Sequence, residues 1–202
     1  MDIFINEFIE ALSQLLLFSI IPVLVWLIVG RKKENLFEYL GLKKVKGLSS
    51  GLKTLLLTLL VCACYVGCSS LAINFFAGDI TEAGNQFAGM GKKAIPAAIT
   101  YAFIRTALSE EIVFRGFILK RVASKWGFVL GNIVQALLFG LLHGVPFGLM
   151  SGKVFVVVIM TILPGAMGWY MGWMNEKRYG GSIFPSWLVH GIMNFAITCI
   201  NL

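Results

Sequence analysis

Long apolar runs constrain this chain more than any other feature. Residues 8–30 read FIEALSQLLLFSIIPVLVWLIVG, with Glu10 as their one charged residue. A hydrocarbon layer is crossed by a helix of roughly 20 apolar residues, because only a helix satisfies its backbone polar groups without water. Further runs of this kind follow at 54–76, 95–119, 127–149, 153–174 and 182–202. The sequence therefore predicts an all-α, polytopic membrane helical bundle of about six transmembrane helices, with 1–202 as a single transmembrane domain. Composition agrees. Of 202 residues, 58% are hydrophobic and 13% charged, against about 25% charged in ordinary soluble domains. That balance excludes a disordered chain, a nucleic-acid-binding module and a typical cytosolic enzyme.

The net charge is +7, but the basic residues sit in short clusters between apolar runs, where they set membrane orientation. No nucleic-acid partner is implied. Residues 31–53 carry seven Lys or Arg against two Glu. They read as an inner segment, with a short interfacial helix around Leu36, Phe37 and Leu40. Residues 77–94, with Asp79, Glu82, Gly84 and Gly91, read as an outer loop. Lys120, Arg121 and Lys125 mark the inner side again, as do Glu176, Lys177 and Arg178. The alternation places both termini outside a plasma membrane. The start is acidic (Asp2, Glu7, Glu10) and the basic cluster follows the first run, so that run reads as a retained helix rather than a signal peptide. Cys62, Cys64, Cys68 and Cys199 form no CxxC pair and read as small apolar filler. Gly140 and Gly144, and Gly165, Gly168 and Gly172, read as close helix contacts. Pro164 is placed to kink the fifth span, and Pro185 fits a first helical turn.

The third run is unusual, since it keeps Arg105, Glu110, Glu111 and Arg115. An ionisable side chain inside hydrocarbon costs roughly 2.5–3.5 kcal/mol on insertion scales unless paired or facing a polar cavity. At about 100° per residue, Glu111 and Arg115 lie about 40° apart and can pair, whereas Glu110 points about 100° away from Glu111. Glu111 and Arg115 thus read as a structural pair. Glu110 is left to face a cavity, where scarce water suits a general base. The two histidines also lie in apolar runs. Phe139 and His143 share one face of the fourth span, His190 and Asn194 one face of the sixth. A carboxylate, two imidazoles and an amide can hold a water, take its proton and stabilise an oxyanion.

Glu110-Glu111-x-x-x-Arg115, Phe139-x-x-x-His143 and His190-x-x-x-Asn194, in this order on separate apolar runs, resemble the CAAX protease and bacteriocin-processing family of intramembrane endopeptidases. The family includes the Ras-converting CAAX prenyl proteases. The resemblance covers about residues 105–198 and places the catalytic core at 95–202. It implies a conical helical bundle around a membrane-embedded cavity. It implies that Glu110 and His143 activate the attacking water, that His190 and Asn194 bind the oxyanion, and that Glu111 and Arg115 support the site, with Phe139 beside His143. The implied substrate is a peptide or lipidated protein at the membrane lipid: a prenylated C-terminus, or a bacteriocin or pheromone precursor. The basic inner loop and short chain favour a bacterial peptide-processing or bacteriocin self-immunity role.

No cofactor is expected. Zinc is the alternative, and its ligands would be Glu110, His143 and His190; no HExxH occurs, and each ligand would come from a different helix. Competing functions are a non-catalytic scaffold or immunity protein and a proton-coupled transporter, although repeated halves are not evident. One spacing is awkward. His143 lies sixteen residues past Gly127, about 24 Å along a helix. A later start of the fourth span, or a strong tilt, is therefore expected, and Pro146 is expected to break the helix just after His143.

Overall fold

The computed structural model describes residues 2–47, 51–72, 86–200 and 202. They form an all-helical membrane protein, with α1 at Ile3–Gly30, α2 at Leu36–Tyr39, α3 at Gly51–Ala72, α4 at 95–126, α5 at Phe128–Ser151, α6 at Val154–Arg178 and α7 at Phe184–Ile200. The end of the second predicted span at 73–76, and Asp79, Glu82 and Gly84 of the predicted outer loop, lie outside the described residues.

Among the described residues, α1, α3, α5 and α6 are long and apolar enough to cross a membrane. Their surfaces show why they need lipid: Leu16, Leu17 and Ile28 of α1 are 70%, 64% and 80% exposed. Apolar side chains laid bare along a whole helix are stable only in a nonpolar solvent. The third and sixth predicted spans are α4 and α7. The first carries the buried charges, and the second is 17 residues long.

The chain divides into two compact units. The first comprises Met1–Lys44, Thr81–Phe117 and Ser182–Leu202. Here α1 packs on α4, and Arg105 explains the acidic start of the chain. Its guanidinium bonds both carboxylate oxygens of Glu7, at 3.1 and 3.3 Å, and pairs with Glu10. Gln14 donates to the Arg105 carbonyl at 2.8 Å. Phe87, Ala94, Ala97, Ala98, Tyr101 and Ala102 make the apolar core beside this cluster. The short interfacial helix forms as α2, capped by the Asn35 side chain on Glu38 N–H. Its Tyr39 and Leu40 pack with Ile112 and Ile183, while Phe37 is exposed.

The helix α4 departs from the regular winding assumed above. Thr100–Leu108 and Ile112–Leu119 run in wider i→i+5 turns on either side of Ser109–Glu111. Such turns are rare and gather at functional sites. Pro96 is accommodated in the first turn, where a missing N–H costs nothing. Pro185 likewise sits in the first turn of α7.

The second unit comprises Val45–Ile80 and Ile118–Gly181. Gly127, at φ 86°, makes the corner between α4 and α5, a conformation only glycine adopts freely. The expected helix break at Pro146 does not occur. The helix runs unbroken from Phe128 to Ser151 with Pro146 inside it, and it starts only one residue past the predicted start at Gly127. A proline within a membrane helix is tolerated when neighbouring groups re-satisfy the freed backbone. Pro164 is held inside α6 in the same way. The predicted close contact is real: a Cβ at Gly140 would overlap the Thr161 carbonyl, and one at Gly144 would lie 2.6 Å from the Val157 carbonyl. Asn132 donates to the Trp169 carbonyl and Gln135 to the Gly168 carbonyl, both at 2.9 Å, which binds α5 to α6 by hydrogen bonds as well as by packing.

Gly140→Leu is expected to destabilise the protein by about 1–3 kcal/mol through overpacking. Gly67→Ala, where nothing lies within 4 Å of the new methyl, should leave the midpoint unchanged. Thermal unfolding in detergent measures both.

Candidate active site

Within the first unit, α4 and α7 run antiparallel, and polar side chains join them in successive rungs: Thr106 with Asn194, Glu110 beside His190, and Glu111 with Ser186. Glu111 and Arg115 are both fully buried. Their ion pair measures 3.0 Å, as the four-residue spacing predicts. Glu111 does more than neutralise Arg115. One oxygen also takes His190 Nδ1 at 3.2 Å, and the other accepts a short hydrogen bond from the Ser186 hydroxyl. A buried carboxylate is stable only when its lone pairs are filled, and three donors fill this one.

This arrangement fixes His190. With Nδ1–H donated to Glu111, the ring cannot turn, and Nε2 is presented on the other side. There it faces Glu110 Oε2 at 3.7 Å. That is longer than a hydrogen bond. Glu110 Oε2 is buried and makes no hydrogen bond among the described residues. The two glutamates diverge on α4 as the wheel predicts, yet both reach one imidazole. The ring spans the divergence because its two nitrogens point apart.

Asn194, one turn further along α7, donates Nδ2–H to the Thr106 hydroxyl at 2.8 Å. Phe139 and His143 belong to the second unit. There His143 Nδ1 lies 2.8 Å from the Phe139 carbonyl, and the two rings stack with centroids 4.6 Å apart. A carbonyl only accepts, so Nδ1 carries the proton in this bond and the ring is held with Nε2 on its far side. The first unit thus gathers Glu110, Glu111, Arg115, His190 and Asn194, and the second holds Phe139 with His143.

Sequence reasoning missed Ser186, Thr106 and the partners of Arg105. For Ser186 a signal existed: Ser186, His190 and Asn194 stand four apart on one face of α7. Thr106 stands four before Glu110 on α4 in the same way. A hydroxyl amid apolar residues reads as filler until its partner on another helix is seen. Among the described residues, no group of three or more His, Cys, Asp or Glu is placed to hold a metal ion.

Removing one member of the Glu111–Arg115 pair strands a buried charge. Arg115→Met is therefore expected to cost about 3–5 kcal/mol, and the Glu111→Met, Arg115→Met double variant should regain much of that loss. Unfolding of the purified variants in detergent checks the order.

No curated protein and no solved structure is matched by this chain. A family model described as type II CAAX prenyl endopeptidase Rce1-like matches residues 92–196. That span is just over half of the chain. It runs from the start of α4 past Asn194, and so takes in both carboxylates of α4, both histidines and the asparagine. The chain belongs to the type II CAAX prenyl endopeptidase Rce1-like family.

Proposed function

We propose that this integral membrane protein is an endopeptidase that cleaves a small membrane-associated or prenylated peptide within the membrane, with water as nucleophile. The observation that carries the reading is the buried Glu110 carboxylate, whose Oε2 makes no hydrogen bond among the described residues and faces the fixed Nε2 of His190. A structural carboxylate at that depth would be filled, as Glu111 is. One left unfilled is suited to take a proton.

In this reading Glu110, assisted by His143, removes a proton from water. The hydroxide attacks the scissile carbonyl. His190 Nε2 and the free N–H of Asn194 stabilise the oxyanion that forms, and the proton passes to the leaving amine as the C–N bond breaks. Glu111 supports the charge on His190, held in turn by Arg115 and Ser186. The place of His143 rests on its motif. We assign the chemistry to these side chains without a metal. We also place both termini outside a bacterial plasma membrane, on the charge alternation of the loops, and favour peptide processing or bacteriocin immunity over protein prenyl maturation.

Purified protein in detergent should cleave a peptide from a panel containing farnesylated CAAX peptides and unlipidated membrane peptides. Glu110→Gln and His143→Ala should each lower the rate by about 10²–10⁴-fold, the usual worth of a general base. A chelator should leave the rate unchanged. Loss of activity with chelator and recovery with zinc would replace the metal-free reading. Glu110→Gln at full activity would remove Glu110 from the chemistry, and a cellular effect without any cleavage would point to a scaffold.

A further inference from the structure

Thr106 is the one side chain of α4 that touches Asn194 by a hydrogen bond, and its own bonding decides what it offers. Its hydroxyl lies 3.0 Å from the Tyr101 carbonyl and 3.0 Å from the Ala102 carbonyl, and donates to them. A threonine hydroxyl has one proton, so what remains for Asn194 is a lone pair. Only the NH₂ side of the carboxamide can answer a lone pair. The Asn194 amide is thereby held in one of its two flip states, with Nδ2 towards Thr106 at 2.8 Å and Oδ1 turned away. Nδ2 carries two N–H bonds. One is spent on Thr106, and the other remains on the same atom. Thr106 also stands one turn before Glu110, and Asn194 one turn after His190, so this rung adjoins the Glu110–His190 rung.

We propose that Thr106 is a positioning residue for the hydrolytic reaction: held as an acceptor by its own helix, its hydroxyl sets the carboxamide of Asn194 so that the second N–H points at the developing oxyanion. This rests on the endopeptidase reading given above. A freely rotating carboxamide presents Oδ1 to that charge half of the time and pays rotamer entropy when it does not. An oriented donor pays neither cost during reaction, which is what gives preorganised groups their effect. The bond strengthens binding of the transition state and not of the substrate, so it belongs in kcat.

The full chain in detergent, with the same peptide panel, tests this. Thr106→Val keeps the shape of the side chain and removes the acceptor. It is expected to lower kcat about tenfold while KM and the thermal midpoint stay within error. Thr106→Ser, which keeps the hydroxyl, should restore the rate, and Thr106→Ala takes the place of the valine variant if that protein does not fold. In an Asn194→Ala background the Thr106→Val change should add nothing, because the group it positions is gone. Full activity of Thr106→Val, an equal tenfold loss in the Asn194→Ala background, or a loss that appears in KM or follows the thermal midpoint overturns the inference and leaves the endopeptidase reading standing. Full activity of Asn194→Ala, or no peptide cleaved by the wild type, overturns that reading and this inference with it.

Discussion

Everything in the first unit turns on one anion that hydrocarbon would not otherwise tolerate. Glu111 is fully buried on a membrane helix, so its charge must be matched where it stands. Arg115 supplies the charge, and Ser186 and His190 supply the remaining donors. Satisfying Glu111 therefore fastens α7 to α4 and fixes the imidazole in one act. One set of bonds thus both neutralises the buried charge and orients the ring. The neighbouring glutamate, by contrast, carries an oxygen with no hydrogen bond among the described residues. Two adjacent carboxylates of identical chemistry are separated by surroundings alone, one filled and one not.

The wide turns of α4 belong to the same account. Widened turns flank the Glu-Glu pair on both sides. The side chains of this helix also carry the ties to the rest of the unit: Arg105 to Glu7 and Glu10 of α1, and Thr106, Glu110 and Glu111 to α7. Its charged side chains thus anchor it to both neighbours, beside the apolar core that Ala97, Ala98, Tyr101 and Ala102 help to form. In the second unit the contacts differ. Glycines let α5 and α6 approach until backbone meets backbone, and the polar residues Asn132 and Gln135 bond carbonyls of the facing helix. Lipid offers no hydrophobic gain for helix association, so close packing and hydrogen bonds take its place.

The sequence made legible whatever depends on spacing along one helix. The apolar runs follow from length and composition, and the Glu111–Arg115 pair and the glycine contacts from four-residue spacings. Pairings between helices were not legible, because no spacing links Arg105 to Glu7 across 98 positions or Asn194 to Thr106 across 88. The Pro146 break failed for a different reason. A proline rule drawn from water-exposed helices does not carry over to a membrane helix, where such residues are tolerated more often.

Histidine shows how little must be fixed from outside for a site to acquire direction. Each imidazole here has one nitrogen tied, His143 to the carbonyl of Phe139 and His190 to the carboxylate of Glu111. The partners differ in a way that matters. A carbonyl accepts one hydrogen bond and so fixes which way the His143 ring faces. The Glu111 carboxylate does the same for His190 while being held itself by Arg115 and Ser186. The first tie lies within one helix, while the second joins α7 to α4. The i−4 residue on its own helix therefore orients His143, whereas His190 is oriented from another helix.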